Sequence, residues 1–164
     1  MAISVEFQTS IINSGLIIGD ISSNTGCSVA VANSDEIAGS VTLSNVADDY
    51  RASGNGSAGE INLRGGNDVA LGASANDSIN GGDGEDTIFG FVGDDVLDGD
   101  ANSDEIHRGA GADSIDGGSG ADSILGGSGD DFIEGGTSLD TIRGGSGDDE
   151  IFGDGGGDSI RSQS

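Results

Sequence analysis

The sequence predicts an all-β fold, a right-handed parallel β-solenoid with an irregular β-rich cap at its N-terminus. The first observation is an aspartate at every ninth position, ten times in succession, without insertion or deletion. The second is a large aliphatic residue two positions after each aspartate, and the third is glycine at many of the positions before it. A short fixed period of this kind is typical of a chain built from stacked copies of one small unit.

The repeated unit reads Gly-Gly-x-Gly-x-Asp-x-Ile-x and is clearest at residues 117–125. Its aspartates are Asp77, Asp86, Asp95, Asp104, Asp113, Asp122, Asp131, Asp140, Asp149 and Asp158. Its aliphatic residues are Ile79, Ile88, Leu97, Ile106, Ile115, Ile124, Ile133, Ile142, Ile151 and Ile160. The tripeptide around each aliphatic residue predicts a minimal strand, in which the central side chain points inward because strand side chains alternate.

Loop, strand, loop and strand together make a turn of eighteen residues. Successive strands are therefore expected to fall alternately on two facing parallel sheets, so that units two apart are stacked neighbours. One aliphatic residue per unit gives only a thin apolar core. The fold consequently needs stabilisation from another source.

The loop composition points to a divalent cation. Glycines let the backbone turn sharply and bring carbonyl oxygens close together, and the aspartate adds a carboxylate. Hard oxygen donors of both kinds suit Ca²⁺, which takes six to eight flexible ligands, better than Mg²⁺ with its tighter octahedron. Because one loop offers too few oxygens, we expect each ion to lie between stacked loops. Pairing every aspartate with the one eighteen residues later predicts eight sites in two rows.

The period continues upstream in a degenerate form. Residues 65–70 keep the aspartate as Asp68 but place Ala70 where the aliphatic residue belongs, and residues 59–61 keep Ile61 without an aspartate. Asp68 is in register with Asp86, which predicts a ninth shared ion. The expected cofactor is therefore Ca²⁺, at about eight or nine ions per chain.

Residues 72–161 resemble the RTX (repeat-in-toxin) proteins, whose calcium-binding parallel β-roll carries this nonapeptide. The resemblance implies that the aspartate carboxylates and neighbouring loop carbonyls bind Ca²⁺, and that the chain leaves a bacterial cell by type I secretion. Several positions depart from the pattern: Ala73, Ala75, Phe91, Asn102 and Ser138 replace glycines, and Arg108 opens one repeat. We expect the sites beside Ala75 and Ser138 to be the weakest.

Composition ties folding to metal. The chain has 33 glycines, no proline, five basic residues and a formal charge of −25. Such a sequence buries too little apolar surface to offset chain entropy, so we expect the repeats to be disordered without metal. The net charge of residues 72–161 is −19, from 22 acidic and three basic side chains, and eight calcium ions nearly neutralise it. A permanently disordered acidic tail would not keep aspartate and isoleucine in phase.

Other functional classes find little support. The acidity disfavours nucleic-acid and anionic-lipid partners, which need basic clusters, and we expect no membrane insertion because no long apolar stretch is present. The single Cys27 excludes a disulfide framework, and His107 stands alone at an outward position. Outside the residues of the calcium repeat, the sequence contains no recognisable catalytic nucleophile motif, nucleotide-binding loop or acid–base pair, so we expect no enzyme activity.

We divide the chain into residues 1–53, a degenerate β-rich cap or assembly region, residues 54–161, the nonapeptide β-roll, and a tail of residues 162–164. The last turn has no apolar cover, which predicts head-to-tail association of identical chains. The leading hypothesis is thus an extracellular or cell-surface structural protein that folds on Ca²⁺ and self-assembles into a fibre, surface layer or adhesin-like array. Two alternatives are the calcium-binding portion of a secreted hydrolase or toxin, and an ice- or ligand-binding β-roll.

Overall fold

A computed structural model of the chain describes residues 3–5, 9–15, 17–18, 21–23, 26, 28–54, 56 and 58–162. Cys27 lies outside these residues. The described part is all-β, with twenty strands and no helix; it accordingly contains no helix of the length and apolar character needed to span a membrane. The all-β prediction is confirmed.

Two nine-stranded parallel sheets contain most of the strands. The first sheet consists of β1 (Ile3–Val5), β4 (Ile21–Ser23), β7 (Val41–Thr42), β9 (Ile61–Asn62), β11 (Ser78–Asp83), β13 (Val96–Ala101), β15 (Ser114–Asp116), β17 (Phe132–Glu134) and β19 (Glu150–Phe152). The second consists of β2 (Thr9–Asn13), β5 (Val29–Asn33), β8 (Asp49–Ala52), β10 (Val69–Leu71), β12 (Thr87–Val92), β14 (Glu105–Ala110), β16 (Ser123–Ser128), β18 (Thr141–Ser146) and β20 (Ser159–Arg161). A small third sheet pairs β3 (Ile17–Ile18) with β6 (Ile37–Ala38).

The register follows the nonapeptide. Ile79 pairs with Leu97 and Ile88 pairs with Ile106, so each turn of the solenoid takes two repeats. Strands that are consecutive in sequence fall in opposite sheets. The predicted parallel β-solenoid with two facing sheets is therefore confirmed.

Turns in the N-terminal region are longer. Val41 pairs with Ile61 and Thr9 with Val29, a step of twenty residues in place of eighteen. Strands β3 and β6 form an additional side in these turns. The other described strands within residues 1–53 nevertheless belong to the same two main sheets as the repeats. The division of the chain at residue 53 stays a prediction.

The strands of the repeats are of two lengths: β15, β17, β19 and β20 are the expected tripeptides, and the others from β11 onward are longer. Six of them (β11, β12, β13, β14, β16 and β18) contain six residues. They extend into the glycine-rich segment, where Gly82 pairs with Asp100 and Gly127 with Gly145. The tripeptide prediction was therefore confirmed for four strands and wrong for six, because glycine, despite its low strand propensity, still supplies backbone groups to the ladder.

The core is the predicted single file of aliphatic side chains between the sheets. Eight of them are at most 2% exposed: Ile79, Ile88, Leu97, Ile106, Ile115, Ile124, Ile133 and Ile142. Ile151 is partly buried, and Ile160 in the last rung is 45% exposed. The N-terminal turns bury more apolar side chains, including Leu43, Tyr50 and Leu63. The apolar core is therefore thickest where the aspartate repeat is absent.

Candidate metal-binding rows

The repeated aspartates form two rows, one along each edge of the solenoid where loops stack. Within a row, the backbone N–H of one aspartate donates to Oδ1 of the aspartate eighteen residues later, except between Asp131 and Asp149, where Oδ1 of Asp149 has no partner among the described residues. The Asp86–Asp104 and Asp104–Asp122 bonds are both 2.8 Å long. Asp68 joins the row of Asp86 through a bond of the same length. The backbone thus fixes one oxygen of most of the row carboxylates.

The second oxygen of most of these carboxylates is buried without a hydrogen-bond partner. This holds in the described residues for Oδ2 of Asp68, Asp86, Asp95, Asp104, Asp122 and Asp140, and for Oδ1 of Asp77. A buried carboxylate oxygen without a partner costs several kcal/mol unless a cation or proton accompanies it. The rows therefore present a regular series of negatively charged oxygens that require positive charge.

The raised pKa values of the row aspartates also reflect the lack of positive charge beside these carboxylates. Burial, together with the smaller effect of the charges of neighbouring aspartates, raises the pKa of Asp68 and Asp104 to about 7. Burial likewise raises the pKa of Asp77, Asp122 and Asp131 to about 6. The hydrogen bonds from backbone N–H groups oppose this shift without cancelling it. The metal-free fold consequently disfavours ionised carboxylates at neutral pH.

Glycines in the loop have two separate roles. A side chain on Gly99, at the first position of its repeat, would place its Cβ 2.6 Å from Oδ2 of Asp104, so glycine keeps the space beside the carboxylate open. At the second and fourth positions the backbone has positive φ, as at Gly118 (+88°) and Gly120 (+146°). A Cβ on Gly120 would also overlap the carbonyl oxygen of Asn102 in the adjacent loop. Stacked loops therefore bring carbonyl oxygens into close contact with one another's backbone.

The donor set fits a calcium ion shared between loops. Nowhere in the described residues do three or more carboxylate, imidazole or thiol groups converge on one point. The carboxylates alone are thus too few for a shell of six to eight oxygens. Backbone carbonyls of the stacked loops must supply the other ligands, which favours a hard oxygen-binding cation over zinc or copper.

Comparison with protein families identifies which cation the repeats bind. The profile of the RTX calcium-binding nonapeptide repeat matches the chain four times, at residues 63–90, 71–106, 102–133 and 125–160. The chain belongs to this RTX family. Its repeats bind calcium. Comparisons with curated proteins and with solved structures return no match.

Calcium, when bound to an RTX repeat, supplies the positive charge that the buried carboxylate oxygens lack. The structure places the predicted ligands Asp68, Asp77, Asp86, Asp95, Asp104, Asp113, Asp122, Asp131 and Asp140 at buried positions in the rows. Asp149 and Asp158 lie in the last rung and are only half-buried. The last rung therefore offers its ligands the least protection from water.

Ser138 and Asn102 stand where the repeat usually has its third glycine. Both adopt positive φ, +97° for Ser138 and +78° for Asn102. Asparagine tolerates this region better than serine does. The backbone of the RTX loop is thus maintained at Ser138 at a cost in strain, whereas Ala75 is not among the residues with positive φ.

Asp48 is a row residue that the repeat pattern did not reveal. Its backbone N–H donates to Oδ1 of Asp68 at 2.5 Å, which extends that row by one turn. Both of its carboxylate oxygens have protein donors: the N–H of Val29 binds Oδ1, and the N–H and Oγ of Ser44 bind Oδ2. The twenty-residue spacing to Asp68 hid it, although a large side chain two residues later, Tyr50, repeats the Asp-x-aliphatic signature. Asp48 needs no metal.

Proposed function

We propose that this RTX protein is a calcium-dependent extracellular structural module, which folds when its aspartate rows fill with Ca²⁺ and then associates with copies of itself. The observation that supports the calcium dependence most directly is the series of buried carboxylate oxygens without a partner. Strands in a sheet are about 4.8 Å apart, so neighbouring carboxylates in a row repel one another when no cation is present. Metal binding and folding are then one event.

The concentration of calcium decides whether the module is folded. Extracellular calcium modules bind with a Kd of roughly 10⁻⁴–10⁻³ M. When free calcium is ten times Kd, each site stabilises the folded state by about 1.4 kcal/mol, and far below Kd the contribution vanishes. Seven or eight such sites together contribute about 10–11 kcal/mol, which is comparable to the 5–15 kcal/mol that is typical of domain stability. The module would be unfolded inside a cell and folded outside.

This difference supports an extracellular or cell-surface location. RTX repeat proteins are typically exported by type I secretion, and a chain that stays unfolded until it meets calcium is compatible with passage through a narrow channel. Binding outside the cell would then oppose its return. We extend that route to this chain as part of the proposal.

Head-to-tail association has support at the last rung. The strands β19 and β20 each have a sheet neighbour on one side only within the described residues, and the aliphatic side chain of Ile160 is 45% exposed. A strand edge without a neighbour among the described residues, next to an exposed apolar side chain, can pair with a further strand, and we propose that a second copy of the chain supplies it. Contact between two different ends of identical molecules propagates into a filament unless it closes into a ring.

A structural role is favoured over catalysis by the arrangement of the acidic groups. The carboxyls with the most strongly raised pKa values lie in the two metal rows, spaced along an edge. A general acid–base pair needs groups that converge on one substrate within hydrogen-bond reach.

Circular dichroism with calcium titration tests the folding proposal, and elemental analysis of the dialysed protein counts the bound metal. We expect a change from disorder to β-structure as calcium rises to millimolar concentration, with reversal by EDTA. A chain that keeps its full β-signal in excess EDTA would refute it.

Analytical ultracentrifugation and electron microscopy in millimolar calcium test the association. We expect filaments or a concentration-dependent series of oligomers, which disappear on chelation. A strict monomer at high concentration would contradict self-assembly and leave the calcium-binding portion of a secreted hydrolase or toxin as the better interpretation.

A further inference from the structure

Arg108 is the one residue of the described repeats that places a positive charge inside an aspartate row. It stands at the first position of its repeat, where the other repeats from residue 72 onward have glycine. Its side chain is 0% exposed, as are the side chains of Asp113 and Asp131 next to it. Nε of Arg108 lies 2.9 Å from Oδ2 of Asp113, and its terminal Nη2 contacts Oδ1 of Asp131. The guanidinium therefore lies between two carboxylates of consecutive rungs.

The first position of the repeat gives a side chain direct access to this space. In all but one of the other repeats from residue 72 onward, the exception being that of Gly126, a Cβ added there would lie close to Oδ2 of the aspartate five residues later, as at Gly99 beside Asp104 and at Gly117 beside Asp122. Only an arginine or lysine could place a charge beside that oxygen without leaving an uncompensated group in the interior. Arg108 thus enters the space that glycine leaves open elsewhere.

The backbone hydrogen bond of the row is longer where the guanidinium lies. The hydrogen bond from the N–H of Asp113 to Oδ1 of Asp131 is 3.5 Å long, whereas the equivalent bonds in the other rungs measure 2.5–3.0 Å. The N–H groups of Arg108 make no aligned hydrogen bond among the described residues, so the contact is primarily one between opposite charges. A guanidinium is suited to that function because arginine stays positively charged under all physiological conditions.

We infer that the Arg108 guanidinium replaces the calcium ion between Asp113 and Asp131, so that this rung of the row carries its own tethered cation and binds no metal. The inference rests on the calcium binding of the other rungs. It predicts a stoichiometry one ion lower than the aspartate spacing alone indicates. It also makes this rung the one place in the described repeats where the folded chain holds two stacked loops together with its own opposite charges.

The test is to restore the glycine of the repeat. Arg108→Gly should bind one more calcium ion per chain than the parent, counted by native mass spectrometry and by elemental analysis of the folded protein. Arg143→Gly is the matched control, because it removes the same charge from an exposed position on the outer face of β18 and should leave the count unchanged. Equal counts for the parent and Arg108→Gly would overturn the inference. If neither protein bound calcium, the proposed calcium-dependent folding would fail as well, which separates the two outcomes.

A measurement on the parent protein keeps the inference testable if Arg108→Gly does not fold. In the calcium-loaded protein, nuclear magnetic resonance should show one arginine Nε–H protected from exchange with water by at least about tenfold relative to the exposed Arg51 and Arg143. Assignment of that signal to Arg108 supports the inference. Exchange of the Arg108 signal as fast as that of Arg51 would mean that calcium has displaced the side chain and would overturn it.

Discussion

Asp122 shows how one side chain serves two neighbouring rungs of a row. Its Oδ1 accepts the N–H of Asp104, its own N–H donates to Oδ1 of Asp140, and its Oδ2 is buried without a partner. We expect a carboxylate in this position to contribute to the ion before it and to the ion after it. Substitution at a single row aspartate should therefore affect more than one site.

We expect Asp122→Asn to lower the number of bound calcium ions by one or two and to raise the calcium concentration at the midpoint of folding by at least about threefold. The amide preserves the hydrogen bond from Asp104 but removes the charge that attracts the ions. Calcium titration followed by circular dichroism measures the midpoint. Asp116→Asn, which changes the same charge at an exposed position, is the control, and a midpoint shift of the same size in both variants would contradict a specific role for the row.

Ser138 carries backbone strain that a glycine would relieve. A non-glycine residue with left-handed φ costs about 1–3 kcal/mol, whereas glycine loses about 0.5–1 kcal/mol of chain entropy relative to other residues. The first effect is larger, so Ser138→Gly should stabilise the calcium-loaded protein by about 0.5–1 kcal/mol. Thermal denaturation in excess calcium gives the difference.

Ser128 provides the comparison for Ser138. It lies in strand β16 and is not among the residues with positive φ, so Ser128→Gly should destabilise the protein by about the same amount. If both substitutions lowered the melting temperature, strain at Ser138 would not be significant.

At the scale of elements, the N-terminal turns and the repeats solve the same packing problem in different ways. In the N-terminal turns, Ser44 satisfies the carboxylate of Asp48, the side chain of Asn13 donates to that of Asn33 at 2.7 Å, and several large apolar residues are buried per turn. In the repeats, each nonapeptide instead contributes one aliphatic residue to the core and one carboxylate without a full set of protein partners to a row. The two halves should therefore depend differently on calcium.

We expect hydrogen exchange to show this difference. In EDTA, backbone amides of β5, β7, β8 and β9 should retain measurable protection, because their polar groups have protein partners, while amides of β11 to β20 exchange as in an unfolded chain. In millimolar calcium, both groups should be protected. Hydrogen–deuterium exchange with mass spectrometry distinguishes them, and uniform loss of protection along the chain in EDTA would show that the N-terminal turns also need metal.

The whole molecule should respond to pH through the same carboxyl groups. The pKa values of Asp68 and Asp104 are raised to about 7 in the metal-free fold, against about 3.9 in an unfolded chain. A raised folded pKa means that the folded state binds the proton more tightly, so protonation stabilises the fold fully below about pH 4. This contribution is lost as the pH rises through 6 to 7.

In EDTA we accordingly expect more β-structure at pH 5 than at pH 8, measured by circular dichroism. With calcium present we expect the opposite dependence on pH, because protons compete with the metal for the same oxygens. The calcium concentration at the folding midpoint should therefore rise as the pH falls from 8 to 5. The opposite trend in EDTA, with more structure at pH 8, would show that carboxylate burial does not limit the metal-free fold.

How far the sequence predicts this molecule can be judged from particular residues. Ile124 and Asp122 repeat at a fixed interval in a chain without insertions, and that interval alone gave the two sheets, the eighteen-residue register and the buried file of aliphatic side chains. It could not give the length of strands such as β16, because the added ladder positions are glycines whose backbone pairs only once the turns are stacked.

The nine-residue period by itself determined the solenoid and the order of the aspartate rows. With a constant step, each position of the repeat occupies the same place in every turn, so every aspartate falls in a row and every aliphatic residue falls in the core. Tertiary structure alone decided which carboxylates already have a partner. Ser44 satisfies Asp48 and Arg108 reaches Asp113 and Asp131, although in both cases the local sequence departs from the repeat. The physical reason is that a buried charge is compensated by whatever donor or cation the fold places within about 3 Å of it, and that distance depends on how neighbouring turns are stacked.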